Sequence, residues 1–113
     1  MRILAGSLRH REIHLPTSTP FRPTSSKVRE QVFNICQGCF EGGSVLDLFA
    51  GSGAIGIEAL SRGAASATFV EQDRRTASLL RANLDKLGLA EKSTLLVMSA
   101  QQALHKAFQD CAL

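Results

Sequence analysis

Two acids and a run of glycines are the residues of this chain best placed to do chemistry. Val45-Leu46-Asp47-Leu48, followed by Phe49-Ala50-Gly51-Ser52-Gly53-Ala54-Ile55-Gly56, reads as a short buried strand, a glycine-rich turn and the start of a helix. Such a turn lets a ligand come into contact with the backbone, because glycine has no Cβ to block the approach. The glycines alone match G-x-G-x-x-G, the pattern of a dinucleotide site. Asp47 argues against a dinucleotide. A carboxylate at the strand end repels an incoming pyrophosphate and attracts a ligand that carries an ammonium group. S-adenosylmethionine has an amino acid tail and no phosphate, so Asp47, Phe49, Ala50, Gly51, Ser52 and Gly53 read as a site for that cofactor.

The second half of the site follows at the expected distance. Ala67-Thr68-Phe69-Val70 is rich in strand formers and ends in Glu71-Gln72. An acid at the end of a second strand, about 20 residues past the glycine turn, can accept both ribose hydroxyls of an adenosine. The plainer alternatives are that Asp47 caps nearby backbone amides, and that Glu71 is a solvated strand-end acid or a cap for the helix beginning near Asp73.

These residues need elements to hold them. Arg2–Ala5 and Glu12–Leu15 read as short strands of a hairpin, and Pro16 to Pro23 as a loop with three prolines. A helix is expected from about Ser25 to Cys39, with Val28, Val32, Ile35 and Cys36 on one face. Glu41-Gly42-Gly43 leads into the first strand, Val45–Leu48. The helix after the turn runs from Ala54 to about Ser61, with Gly63 placed to stop it. Another spans Arg74–Leu87, with Leu80, Leu84 and Leu87 as its buried stripe. Leu95-Leu96-Val97 is a third strand, and Ser99-Ala100-Gln101-Gln102 opens a last helix with a capping-box pattern. Alternating strands and helices imply an α/β fold with a parallel sheet.

At 113 residues and 44% hydrophobic content, the chain is of a size for one globular domain. Its charge is uneven. Residues 1–40 carry six Lys/Arg and two acids (+4), residues 41–113 seven Lys/Arg and eight acids (−1), which together make the net +3. A basic arm on a near-neutral body suits contact with RNA phosphates, while ordinary surface charge is the bland reading. With no Trp or Tyr, and Phe21 the arm's first aromatic, no base-stacking platform is evident. No apolar run reaches the roughly 18 residues of a membrane span. Three cysteines without an export signal point to a reducing, cytoplasmic setting. Cys36-Gln37-Gly38-Cys39 falls near a helix C-terminus, the wrong end for a reactive thiol. His10 and His14 would stand about 13 Å apart on one strand, so a packed thiol pair without metal is expected.

Leu46-Asp47-Leu48-Phe49-Ala50-Gly51-Ser52-Gly53 with Gly56, Glu58-Ala59, Ser61-Arg62-Gly63-Ala64 and Phe69-Val70-Glu71 closely resembles the bacterial guanine-N2 methyltransferases of small-subunit (16S) ribosomal RNA. Arg2-Ile3 with Ala5-Gly6, Arg22-Pro23-Thr24, and Val28-Arg29-Glu30 with Val32-Phe33-Asn34-Ile35 are similar to that family's amino-terminal signature, so the resemblance covers nearly the whole chain. It implies a Rossmann-like class I methyltransferase fold, S-adenosylmethionine as cofactor, and ribosomal RNA or the small ribosomal subunit as partner. It also implies two regions: residues 1–40 as an RNA or active-site-mouth extension, and 41–113 as the cofactor half of the methyltransferase domain. Arg2, Arg9, Arg11, Arg22, Thr24 and Arg29 are then the RNA-contacting candidates. For Thr24 a helix cap, and for Arg22 and Arg29 a solvated surface position, are the alternatives.

Methyltransferases of exocyclic amines carry an Asp/Asn-Pro-Pro-Phe/Tyr motif after the fourth strand. No Pro-Pro occurs here, and Leu113 lies about where that strand is expected, so the catalytic motif and the carboxy-terminal half of the sheet are expected to lie outside this chain. The complete enzyme is expected to be a monomer. The bare edge of the Val45–Leu48 strand is expected to make the present chain self-associate. Relatives usually carry an acid followed by Ala where this chain has Ser99-Ala100. Ser99 either hydrogen-bonds the adenine or only caps a helix. Two other readings are a same-fold methyltransferase of DNA or protein amines, and a non-catalytic RNA-binding module that uses the basic arm alone.

Overall fold

The computed structural model describes residues 1–14 and 41–110, and side chains as far as residue 106. Strand β1 is Ser44–Asp47, helix α1 Ala54–Ser61, β2 Ser66–Val70 and α2 Arg74–Lys86; a short 3₁₀ turn, Ala90–Lys92, leads into β3, Ser93–Leu96, and α3 is Ala100–Asp110. The strands are parallel in the order β1-β2-β3, with Asp47 beside Phe69 and Val70 beside Leu96. This is the α/β, Rossmann-like arrangement that the strand–helix alternation implies. Leu15 at the end of the second hairpin strand, the loop Pro16–Pro23, and the Ser25–Cys39 helix with Cys36 and Cys39 lie outside the described residues.

Each element has a local cause. β2 is the central strand of the described sheet, and its Ala67, Phe69 and Val70 are buried. Helix α1 is buried almost all round, as a short run of Ala, Ile, Gly and Leu requires. Gly56 lets it settle on the sheet: a Cβ there would lie 2.3 Å from the Phe69 ring. Helix α2 is amphipathic, with Leu80 and Leu84 buried. Its start is fixed by Asp73, whose Oδ2 accepts from the Thr76 N–H (2.9 Å) and hydroxyl (2.6 Å). At the head of α3 the capping box forms in both directions. The Gln102 N–H donates to Ser99 Oγ (3.1 Å), and the Ser99 N–H donates to Gln102 Oε1 (3.0 Å).

Three expectations change. The third strand is Ser93–Leu96 rather than Leu95–Val97, because the ladder with β2 starts at Ala67–Ser93 and ends where β2 ends; Val97 is left about half exposed. The first strand is Ser44–Asp47 rather than Val45–Leu48, and among the described residues it is an edge strand, as the bare edge expected for it requires. The amino-terminal hairpin shrinks to one antiparallel bridge, Arg2–Glu12, supported by Ile3 N–H to Arg11 O (2.9 Å) and Ile13 N–H to Met1 O (2.8 Å). The reason is competition. The Ala5 N–H, next in the alternation to face the partner strand, donates instead to Glu58 Oε2 (3.1 Å), while the Leu4 N–H, on the outer side, donates to Glu58 Oε1 (2.8 Å).

Residues 1–14 are therefore built into the body. Ile3 and Ile13 share one core with Ile57, Leu60, Phe69, Leu80 and Leu84. Burying each isoleucine is worth about 1.5–3 kcal/mol. The Ser61 hydroxyl donates to Ala5 O and accepts from the Leu8 N–H.

Candidate functional site

The carboxyl ends of the three parallel strands converge on one side of the molecule, where ligands bind in open α/β sheets. β1 delivers Asp47, β2 delivers Glu71, and the chain after β3 delivers Met98, Ser99 and Ala100. Between the first two, the turn Leu48–Gly53 folds back onto β2 through an Ala50 N–H to Val70 O bond of 3.0 Å. Gly53 begins α1 at φ 88°, and the space a side chain would need is filled by Leu80, 2.3 Å from the ideal Cβ position. That conformation and that contact both demand glycine.

A cavity of about 490 Å³ opens at this end, lined by Leu48, Phe49, Val70, Glu71, Gln72, Met98, Ser99, Ala100 and Gln101. Its size is ordinary for a small-molecule site. Among the described residues the walls are mostly apolar, the polar groups are Glu71, Gln72, Ser99 and Gln101, and no Lys, Arg or His lines it. Phe49 stands 82% exposed at the rim, the most exposed large apolar side chain described, as a ring awaiting a flat partner would be.

The two acids behave differently. Glu71 ties the site together: its Oε1 accepts from the Gly51 N–H (3.0 Å) and its Oε2 from the Asp73 N–H (2.8 Å). The cap of α2 is Asp73 and not Glu71; a carboxylate has about four acceptor positions, so room remains on Glu71 for two hydroxyl donors. Among the described residues Asp47 accepts a single weaker bond, from the Phe49 N–H at 3.2 Å. Burial pushes the Asp47 carboxyl above its ordinary range; the Phe49 N–H opposes this, and the Glu71 charge adds to the rise. Two carboxylates close enough to interact, with no cation on the cavity wall among the described residues, give this end a negative field.

Of the sequence-predicted cofactor residues, the fold brings Phe49, Glu71, Gln72, Ser99 and Ala100 onto one cavity, with Asp47 at its flank. Ala50, Gly51, Ser52 and Gly53 are buried, Ala50 and Ser52 at 7% and 2% exposure, and none of the four lines the cavity. Ser99 lines the cavity and also caps α3, so its two readings coexist. Of the RNA candidates, Arg2, Arg9 and Arg11 are exposed. Arg11 donates from Nη2 to Lys86 O (3.2 Å), at the end of α2. Arg22, Thr24 and Arg29 lie outside the described residues.

Sequence reading missed Asn83, which is 1% exposed. Its Nδ2 donates to Ser52 O (3.2 Å) in the turn and to His14 O (3.0 Å) in the arm, while its Oδ1 accepts from the His14 N–H (3.1 Å). It clamps the cofactor turn to the arm, across separations of 31 and 69 residues. A signal was present: an amide inside the apolar stripe Leu80, Leu84, Leu87 needs buried partners. Glu58, an acid inside an otherwise apolar short helix, was a signal of the same kind.

Comparison with known proteins agrees with this arrangement. Residues 1–112 match the family described as Conserved hypothetical protein 95. The Bacillus subtilis protein YlbH, provisionally named as an rRNA methyltransferase, is 42% identical over 107 residues, which is 95% of this chain and 58% of YlbH. Ribosomal RNA small subunit methyltransferase D of Escherichia coli K12 is 46% identical over 87 residues, 77% of this chain and 44% of that protein. The solved structure of yhhF from Escherichia coli, provisionally named as a methyltransferase, superimposes with a TM-score of 0.82 at 40% identity, covering 92% of this chain and 55% of that one. The chain spans about half the length of the curated relatives it matches.

Proposed function

Because this chain belongs to the family described as Conserved hypothetical protein 95, we propose that it holds the S-adenosylmethionine site of a ribosomal RNA methyltransferase, one that modifies the exocyclic N2 amine of a guanine in the small subunit. The observation that carries the reading is the cavity at the strand ends, walled by Glu71, flanked by Asp47 and lined by no cation among the described residues. A negative, largely apolar pocket suits a sulfonium and an ammonium group and disfavours a pyrophosphate.

The residues present fit the cofactor. Glu71 keeps acceptor positions for two ribose hydroxyls while its two backbone bonds hold it in place. Asp47, held by only one bond, is free to take an ammonium group. Gln72, Ser99 and Ala100 would border the adenine, Phe49 would cover it, and the turn Ala50–Gly53, buried in the free chain, would border the amino acid tail. The cofactor supplies an electrophilic methyl group; the chain's own part is to hold and orient it and to exclude water. Residues 41–113 form the cofactor region in this reading. Residues 1–40, with Arg2, Arg9, Arg11, Arg22, Thr24 and Arg29, face the RNA. The relatives' names supply the ribosomal RNA, and the basic arm is its match in charge.

Calorimetric titration of S-adenosylhomocysteine, with NADH as control, tests the site. Binding of the first alone is expected. Asp47→Ala and Glu71→Ala are each expected to weaken it at least tenfold, the loss of one charge-assisted hydrogen bond or more. Unchanged affinity in both variants, with the fold intact by circular dichroism, would remove the assignment.

A further inference from the structure

A second cavity, of about 510 Å³, lies between α2 and the outer side of β3 and is lined by Arg74, Ala77, Ser78, Arg81, Leu95 and Val97. It plays no part in the cofactor site, yet it begins beside it: Arg74 is two residues beyond Gln72, and Val97 directly precedes Met98, both of which line the first cavity. On α2 the positions 74, 78 and 81 are spaced i, i+4, i+7 and share one face of the helix. The floor is apolar, from Leu95 and the half-exposed Val97, and the rim is two guanidinium groups and a hydroxyl.

Two observations say that this rim awaits an anion. First, no acid lines the groove, and neither guanidinium has a hydrogen bond or ion pair among the described residues, although Asp85 stands at i+4 from Arg81. Second, Arg74 and Arg75 occupy the first turn of α2, where no acid is present. A cation there faces the positive end of the helix dipole, which is unfavourable. The helix's own stability therefore does not explain Arg74. Charge complementarity does.

We infer that the α2–β3 groove is a phosphate-contacting path for the RNA strand, with Arg74 and Arg81 on two phosphates of one backbone and Leu95 and Val97 against the sugar and base faces. The inference rests on the RNA-methyltransferase reading and adds a surface to it. An RNA strand is the occupant that fits. The two arginines stand about 10.5 Å apart along the helix axis at 1.5 Å per residue, a spacing suited to a long anion with repeated charges. The groove opens next to the cavity where the reaction's other component binds, so a strand lying in it passes the cofactor site.

The test uses the 113-residue chain and small-subunit ribosomal RNA, with affinity measured between 50 and 300 mM KCl, about the range over which phosphate contacts dominate. Arg74→Gln/Arg81→Gln is expected to weaken binding and to reduce the slope of log K against log salt by about two, one per lost phosphate contact. Arg74→Lys/Arg81→Lys is expected to retain the slope. Arg9→Gln/Arg11→Gln, in the arm, is expected to lower it independently. A wild-type slope in Arg74→Gln/Arg81→Gln overturns the groove, as does failure of the wild-type chain to bind the RNA. Polyglutamate binding that depends on Arg74 and Arg81, while RNA binding does not, would assign the groove to an acidic protein and overturn it too. S-adenosylhomocysteine affinity is read on the same samples and is expected to be unchanged by the arginine substitutions. Its absence in the wild type would defeat the cofactor reading, and the groove would still be judged by the salt slope.

Discussion

Helix α1 has an acid near each end of its neighbourhood, and the two are treated in opposite ways. Glu58, within the helix, is 0% exposed, and its carboxylate accepts from the Leu4 N–H, the Ala5 N–H and Arg62 Nε at 2.8, 3.1 and 2.9 Å. Asp47, before the turn, is half-buried, accepts one bond of 3.2 Å, and feels the charge of Glu71. A buried carboxylate that is well supplied with donors holds structure in place. One that is short of donors and faces a like charge costs stability unless a ligand supplies the missing partner. The contrast separates the scaffold end of the molecule from its ligand end, with no reference to what the ligand is.

Removing the well-supplied acid should have the largest effect. Glu58→Ala strands two backbone N–H groups and Arg62 Nε and is expected to lower stability by about 3 kcal/mol in urea unfolding. Hydrogen exchange should show residues 1–14 losing protection before the sheet does. Equal loss across both would mean that Glu58 does not anchor the arm specifically.

The clamp between the two ends comes next. Asn83→Ala leaves the Ser52 and His14 carbonyls and the His14 N–H without partners and is expected to cost about 2 kcal/mol. Because Ser52 belongs to the cofactor turn, S-adenosylhomocysteine affinity should fall with it. Full affinity in a variant that is destabilised but folded would place Asn83 in the scaffold alone.

Asp47→Asn should act in the other direction. Its folded pKa is raised, so the folded state holds the proton more tightly than the unfolded state. The stability associated with the protonated group is present below the unfolded value and lost as pH rises through the folded one. At neutral pH the charge is therefore a burden, and Asn is expected to raise the melting temperature of the free chain while S-adenosylhomocysteine binding drops about tenfold. The gain should fade as the pH is lowered towards 4, about the ordinary aspartate range. A variant less stable than wild type at pH 7 would sink the contrast with Glu58.

The smallest effect is expected at Ser99. Ser99→Ala removes the hydroxyl cap of α3 and should cost about 1 kcal/mol. Ser99→Asp keeps a cap and adds an acceptor at the cavity wall. If Ser99 also contacts the adenine, Ser99→Asp should bind S-adenosylhomocysteine more tightly than Ser99→Ala at matched stability; equal affinities would leave the residue a cap only.

Much of this molecule was legible in its residues because the forces involved are local. Asp73 and Ser99 announce helix starts through side chains that bond N–H groups three residues on. The Asp47–glycine–Glu71 spacing survives because consecutive parallel strands bring their carboxyl ends to one side. What the residues could not show depends on partners far along the chain. By periodicity alone Glu58 is an acid on a short helix; residues 53 and 54 positions away make it a buried anchor. The hairpin stops at that same acid, since the Ala5 N–H that would continue the ladder is donated to Glu58 instead. Residue order therefore determined the strand–turn–helix grammar and the chemistry of the ligand end. Tertiary structure alone decided which polar groups are buried and who satisfies them, because burial and hydrogen-bond competition are settled only when distant segments meet.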